Sequence, residues 1–350
     1  MAEWLCSGLQ IRQRRFDSDL SLNNMINKYR ILVTGAAGFI GSYAAKHYSN
    51  LDHEVMGLDN LNSYYDLDLK LSRLDELKNL PNFKFKELDL KDIQELQDVF
   101  SSFKPEIVIH LAAQAGVRYS LINPHSYIES NIISFHNLLE CLKKSQVEKF
   151  VFASSSSVYG NSSKVPYSEL DDTNNPVSLY AATKKSNEVL AHSFVFNTNI
   201  PTIGLRFFTV YGPQGRPDMA YFKFADLISS NKKMTIYNEG KMSRDMTYID
   251  DIIQGLSKAV SFDKFNNVIP FEIFNLGNNS PVSTWQLIEH IEVYFDKKGD
   301  YSFENSSMEV KKTWANLNKS KELLDFSPNT EFSVGMNNFL DWFKSYKGIH

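Results

Sequence analysis

Cysteine is nearly absent from this chain: Cys6 and Cys141 are the only two in 350 residues. Two thiols cannot make a disulfide framework, and the eight histidines show no ligand-like spacing with them. A reducing, cytoplasmic setting is expected, with no structural zinc and no other metal site. No apolar stretch approaches the length of about 20 residues needed to cross a bilayer, so no membrane partner is expected. An excess of one charge is also lacking. The 37 basic and 41 acidic residues leave a net charge of −4. That balance excludes a nucleic-acid coat or a polybasic membrane binder and leaves room for a local positive pocket. There is no repeat of fixed period and no low-complexity run. Met1–Tyr29 carries Arg12, Arg14 and Arg15 together with Glu3, Asp17 and Asp19 and has no hydrophobic core region before them. It reads as an N-terminal extension (1–29) without part in chemistry and not as a signal peptide.

What is present suffices for a core. Hydrophobic residues make up 43% and charged residues 22%, which rules out general disorder. At roughly 150 residues per domain, about two domains are expected. From Arg30 onward the apolar run Ile31–Val33 is followed by further strand candidates at Val55–Asp59, Phe83–Leu88, Ile107–Leu111, Phe150–Ala153 and Thr202–Phe207. Helix-periodic segments lie between them, at Ile93–Phe103, Tyr127–Lys144 and Leu179–Phe194. Buried strands alternating with helices predict an α/β fold, a doubly wound parallel sheet of Rossmann type. The pattern loosens after about Tyr211, which predicts a smaller mixed α/β C-terminal domain at the carboxyl edge of the sheet. The division expected is 30–207 plus about 248–277 for the sheet domain, and 208–247 plus 278–350 for the smaller one.

The first strand runs into Gly35-Ala36-Ala37-Gly38-Phe39-Ile40-Gly41, a G-x-x-G-x-x-G spacing. Glycines there let the backbone approach a pyrophosphate, and the helix that follows offers free N–H groups and the positive end of its dipole. Asp59 ends the next strand, where a carboxylate can accept from an adenosine ribose and repel a 2′-phosphate. Asn60-Leu61-Asn62-Ser63 follows without a cation, so NAD is expected over NADP.

Tyr180 and Lys184 stand four residues apart, on one face of a helix. A normal phenol is a poor base at neutral pH. A nearby lysine cation and the positive charge of an oxidised nicotinamide would favour phenolate, making Tyr180 a usable general base. Upstream, Ser154-Ser155-Ser156-Ser157 closes a buried strand, where open α/β sheets place their ligands. Without Tyr180 downstream, a polar turn that satisfies its own backbone would be the plainer reading of these serines.

These motifs, with His110-Leu111-Ala112-Ala113-Gln114, resemble the extended short-chain dehydrogenase/reductase superfamily and within it most closely the UDP-glucuronate 4-epimerases. The finer likeness lies in Asn62-Ser63-Tyr64-Tyr65-Asp66, Ala115-Gly116-Val117-Arg118-Tyr119-Ser120, Leu205–Pro213, Gly215–Ala220 and Met246–Asp251. The resemblance implies NAD bound by Gly35, Gly38, Phe39, Ile40, Gly41, Asp59, Asn60, Asp89, Leu90, Leu111, Ala112, Ala113, Gln114, Asn131, Tyr180 and Lys184. It implies Tyr180, Lys184 and Ser155 as catalytic residues. Substrate contacts are implied at Ser154, Ser155, Ser156, Tyr180, Thr209, Arg216 and Arg244, with Arg244 on the diphosphate and Thr209 and Arg216 on a C6 carboxylate. The reaction implied is 4-epimerisation of a UDP-sugar through a transient 4-keto intermediate, by a homodimer that pairs Tyr127–Lys144 and Leu179–Phe194. A neutral or N-acetylated UDP-hexose epimerase, a UDP-glucuronate decarboxylase and an inactive NAD-binding sensor are the alternatives. A 4,6-dehydratase needs an Asp-Glu pair where Ser156 and Ser157 stand. Departures from the family pattern occur at Ser306-Ser307-Met308-Glu309-Val310 and Trp314-Ala315-Asn316, where the nucleotide end is expected.

Overall fold

The computed structural model describes residues 28–265, 268–306 and 312–349. Cys6, the N-terminal extension up to residue 27 and residues 307–310 of the departing segment lie outside them. The chain begins β1 (Arg30–Thr34), α1 (Phe39–Asn50), β2 (Glu54–Asp59), α2 (Leu67–Lys78), β3 (Phe83–Glu87), α3 (Ile93–Phe103) and β4 (Ile107–His110). Two short turns, α4 (Tyr119–Ile122) and α5 (Pro124–Tyr127), lead through a π-helical stretch at Ile128–Ile133 into α6 (Ser134–Lys143). Then come β5 (Lys149–Ser155), α7 (Leu179–Thr198) and β6 (Thr202–Phe207). The second half holds β7 (Thr209–Tyr211), α8 (Ala220–Ser229), β8 (Lys233–Tyr237), β9 (Ser243–Tyr248), α9 (Ile249–Ser261) and β10 (Phe271–Leu276). It ends with β11 (Pro281–Ser283), α10 (Thr284–Phe295), β12 (Asp300–Glu304), β13 (Lys312–Thr313), α11 (Asn318–Leu324) and α12 (Phe332–Lys347).

Seven strands form a parallel sheet in the order β3-β2-β1-β4-β5-β6-β10. Alternation of side chains explains why both faces are dry. Ile31, Val33, Ile109, Val151 and Ile203 enter one hydrophobic layer, whereas Leu32, Val108, Phe150 and Phe152 enter the other. A strand sequence apolar at every position needs cover on both sides, and the helices provide it. This is a doubly wound, Rossmann-like sheet, as the alternation of runs predicts. The order reverses between β1 and β4, which opens a crevice at the carboxyl ends of those strands.

The remaining strands form smaller sheets: β9 pairs with β7, β11 and β13, and β8 pairs with β12. Phe208 alone separates β6 from β7, so this second part hangs directly from the carboxyl end of the large sheet. The segment Tyr127–Lys144 differs from the single helix expected. Its π-helical turn carries the buried Asn131, whose amide accepts from Gln114 N at 2.8 Å and donates to Gln114 O at 3.0 Å. Such wide turns are characteristic of places where one side chain must be re-aimed. Among the described residues, no helix is long and apolar enough to cross a membrane, and no group of three or more His, Cys, Asp or Glu could hold a metal ion.

Candidate active site

A cavity of about 940 Å³ runs from the β1–α1 loop, past the carboxyl ends of β4 and β5, to β7–β9. At one end, Gly35, Gly38, Phe39, Ile40 and Gly41 line it. A Cβ at Gly41 would lie 1.9 Å from the Gly35 carbonyl oxygen, so only glycine allows this tight loop-to-helix junction. No side chain caps α1, and its first turn holds no acid. Its leading N–H groups and dipole are therefore open to an anion. Asp59 is fixed by Ala37 N at 3.1 Å and Leu61 N at 2.9 Å, which aims a carboxylate at the place of a ribose. Asn60 donates to Asp89 at 3.1 Å, and Leu90, Leu111, Ala112, Ala113 and Gln114 continue the wall. This open-ended helix, narrow loop and carboxylate fit a dinucleotide. Asn131 lies behind the wall and not in it: buried, it holds Gln114 and donates to Thr183 at 3.0 Å. In this position Asn131 supports the Gln114 loop.

Helix α7 presents Tyr180, Lys184 and Glu188 at successive four-residue steps along one face. The buried Lys184 ammonium donates to Ala153 O at 2.8 Å, and burial pushes its pKa down to about 8. Burial also raises the Tyr180 phenol above its usual value. The Ser155 hydroxyl bonded to it and the Arg216 charge pull it down, and Asp218 pushes it up. Lys184, one helical turn from Tyr180, is expected to acidify the phenol, and its ammonium is held at the strand carbonyl. The protein's own groups leave Tyr180 a neutral phenol, and further positive charge is needed to make it a base. His110, buried at the end of β4 beside β1, lies 2.8 Å from the Thr34 hydroxyl, and burial holds it neutral with a pKa of about 3.

The serine run divides by function. Ser155 and Ser156 face the cavity, and Ser155 also accepts from Ser157 N at 3.2 Å. Ser154 touches the wall, but its hydroxyl is spent on Glu188 at 2.7 Å. Glu188 is in turn clasped by Arg206 at 2.8 and 2.9 Å, and Arg206 donates to Tyr159 at 3.0 Å. This buried pair anchors the end of β5 against α7. The Ser154 hydroxyl thus takes part in that anchor while the residue lines the cavity.

Thr209, Arg216 and Arg244 line the far end. Arg244 donates to Ser243 O at 3.1 Å. Its neighbour Asp245 is engaged elsewhere, by the backbone N–H groups of Asn278, Asn279 and Ala315 at 2.6 to 3.0 Å. Arg216 is no surface residue; it grips Asp218 through Nε at 3.0 Å and Nη2 at 2.5 Å. Asp218 carries no role in the sequence motifs, although its place two residues after Arg216 is a signal. Nor does Lys70, which α2 brings to the ribose end, donating to Asn62 O at 2.6 Å. Arg118, stacked 4.1 Å over the Tyr237 ring, joins the two sides of the cavity and likewise carries none. Arg118 and Asp218 lie in segments that carry the family likeness, Ala115–Ser120 and Gly215–Ala220, whereas Lys70 belongs to no motif and only folding brings it to the cavity.

Residues 31–277 match the family described as the NAD dependent epimerase/dehydratase family. Protein CapI of Staphylococcus aureus is 43% identical over 331 residues, covering 91% of this chain and 99% of that one. UDP-glucuronate 4-epimerase 1 of Arabidopsis thaliana is 43% identical over 334 residues, covering 91% of this chain and 78% of the plant protein. Among solved structures, UDP-glucuronic acid 4-epimerase from Bacillus cereus in complex with UDP-glucuronic acid and NAD superposes with a TM-score of 0.84 at 35% identity, over 91% of this chain and 99% of that one.

Proposed function

The chain belongs to the NAD-dependent epimerase/dehydratase family, and from that premise we propose that it is an isomerase that interconverts UDP-glucuronate and UDP-galacturonate. Its reaction is NAD-dependent 4-epimerisation of a UDP-sugar. When bound, NAD supplies the acceptor and donor of the C4 hydride and the positive charge that the Tyr180 phenol lacks. Tyr180 takes the proton of the C4 hydroxyl and later returns it. Ser155 holds the same oxygen, and Lys184 steadies the ribose beside it. Arg244 meets the diphosphate, so the ligand stays anchored while the 4-keto sugar turns. Residues 30–207 with about 248–277 carry the dinucleotide, and 208–247 with 278–350 carry the UDP-sugar.

One observation carries the choice of a uronate. The phenol that reacts at C4 and Arg216 line the same cavity, and C6 is only two bonds from C4. A guanidinium there suits a C6 carboxylate. The charge-assisted hold also opposes loss of carbon dioxide from the β-keto acid formed at C4, since it stabilises the ion over the neutral leaving group. A neutral UDP-hexose is the second reading, favoured by Asp218, which already neutralises Arg216. Incubation with UDP-glucuronate, and separately with UDP-glucose and UDP-N-acetylglucosamine, with products resolved by NMR, tests both. UDP-galacturonate without carbon dioxide release is expected. A pentose product, or turnover of the neutral sugars alone, overturns the assignment.

We also infer a cytoplasmic homodimer. The low cysteine content is compatible with that location, and exposed Ile133 before α6 and Val189 and Phe196 on α7 offer an apolar face for a second copy. A sedimentation mass near one chain at micromolar concentration would remove the dimer.

A further inference from the structure

Three segments far apart in sequence meet at the sugar end of the cavity. The loop after β2 brings Tyr64, the loop before α8 brings Arg216 and Asp218, and the loop after β4 brings Gly116. Tyr64 donates its hydroxyl to Asp218 Oδ2 at 3.1 Å, and Asp218 takes both Nε and Nη2 of Arg216. A Cβ at Gly116 would lie 2.6 Å from the Tyr64 oxygen, so glycine there is what lets the tyrosine reach. The Tyr64 ring is steadied by Tyr119, with centroids 4.6 Å apart. Arg216 and Asp218 are both largely buried, at 23% and 22% side-chain exposure.

A carboxylate in the substrate would thus find the fork of its arginine already taken. Epimerisation makes this useful. The sugar ring must turn over between the two halves of the reaction, and its C6 group must leave the arginine and return. A half-buried guanidinium without a partner during that swing would be strongly disfavoured. A resident carboxylate removes the problem by keeping Arg216 paired at every stage. We propose that Asp218, held by Tyr64, is an exchangeable counter-ion for Arg216, weakening the grip on a substrate carboxylate so that a uronate ring can turn. Asp218 and Tyr64 are then positioning residues, and their effect is confined to substrates charged at C6. The proposal rests on the uronate assignment above.

The test compares the wild-type holoenzyme with Asp218→Asn, which keeps the shape and removes the charge. Steady-state kinetics are measured with UDP-glucuronate, and binding of UDP-glucuronate, UDP-glucose and UDP by calorimetry. In the variant, the KM for UDP-glucuronate is expected to fall about fivefold, the scale of one half-buried charge interaction. Its kcat should fall by a similar factor, because the added grip acts on the resting sugar and must be broken for it to turn. Affinities for UDP-glucose and UDP should stay within about twofold. Three results overturn the proposal: unchanged KM and kcat with UDP-glucuronate; weaker binding of all three ligands alike, which would make Asp218 a loop support; or a raised KM for UDP-glucuronate alone, which would make it part of the clamp. Wild-type enzyme inactive on UDP-glucuronate would instead remove the uronate reading, and this proposal with it, before any variant is compared.

Discussion

Replacing Lys184 with Met should make the protein more stable and nearly inactive. The lysine is 2% exposed, and burial lowers its pKa from 10.5 to about 8. A difference of that size corresponds to about 3 kcal/mol against the charged form in the folded protein. The folded chain releases this proton more readily than the unfolded one. The cost is therefore complete below pH 8, fades between about pH 8 and 10.5, and is gone above that window. Methionine fills a similar volume without the charge, but it leaves Ala153 O without its Lys184 donor, which takes back about 1 kcal/mol. The net gain at pH 7 is about 2 kcal/mol, falling to about zero by pH 9.5, where only about 1 kcal/mol of the lysine's cost remains. Urea denaturation of dinucleotide-free protein at the two pH values measures this without the contribution a bound ligand would add. A variant no more stable than wild type at pH 7, or a gain that is the same at pH 9.5, would refute the reasoning. Turnover in the same variant should drop at least about a hundredfold, since the group that costs stability is the one the chemistry needs.

Tyr180→Phe should lower epimerisation by about a hundred- to ten-thousandfold, the usual reach of one acid-base group; undiminished turnover would end the assignment of Tyr180 as the base. Asp59→Ala should weaken NAD and strengthen NADP, shifting their affinity ratio about tenfold or more. Removal of the carboxylate leaves Lys70 to meet a 2′-phosphate, and a fluorescence titration with both dinucleotides reads the change. Glu188→Gln should destabilise by about 3 kcal/mol or more, because Arg206 is left buried without its charge partner. Burial raises the Glu188 pKa, but hydrogen bonds and charge from Arg206 outweigh it and hold the carboxyl below its usual value. That stability is present above the unfolded carboxyl's pKa and is lost as pH falls through the folded one. The gap between wild type and variant in urea midpoints should therefore close on acidification.

Local rules carry far in this chain. A run apolar at every position, such as Ile107–Ile109, points to a strand covered on both faces, whereas Phe83–Glu87 alternates with lysines and reads as a strand from its period of two. Gly35, Gly38 and Gly41 before a helix and Asp59 ending the next strand announce a dinucleotide site, because each residue type answers one steric or electrostatic demand that neighbours in sequence already state. Tyr180 and Lys184 share a helix face by arithmetic alone. The seventh strand, Phe271–Leu276, is different. It joins β6 only because the chain returns from the smaller sheets, and nothing local announces that edge.

What folding alone decided is where each charge is spent. Sequence offers Ser154, Asn131 and Lys184 as chemistry-bearing groups of equal standing. Their hydrogen bonds depend on which backbone or carboxylate comes within about 3 Å from another segment. Glu188 claims Ser154, Gln114 claims Asn131 and Ala153 claims Lys184. Arg216 meets Asp218 two residues away, yet its further link to Tyr64 spans more than 150 positions. Helix, strand and loop follow from short-range sterics and periodicity, whereas the partner of a buried polar atom is fixed by the packing of the whole chain.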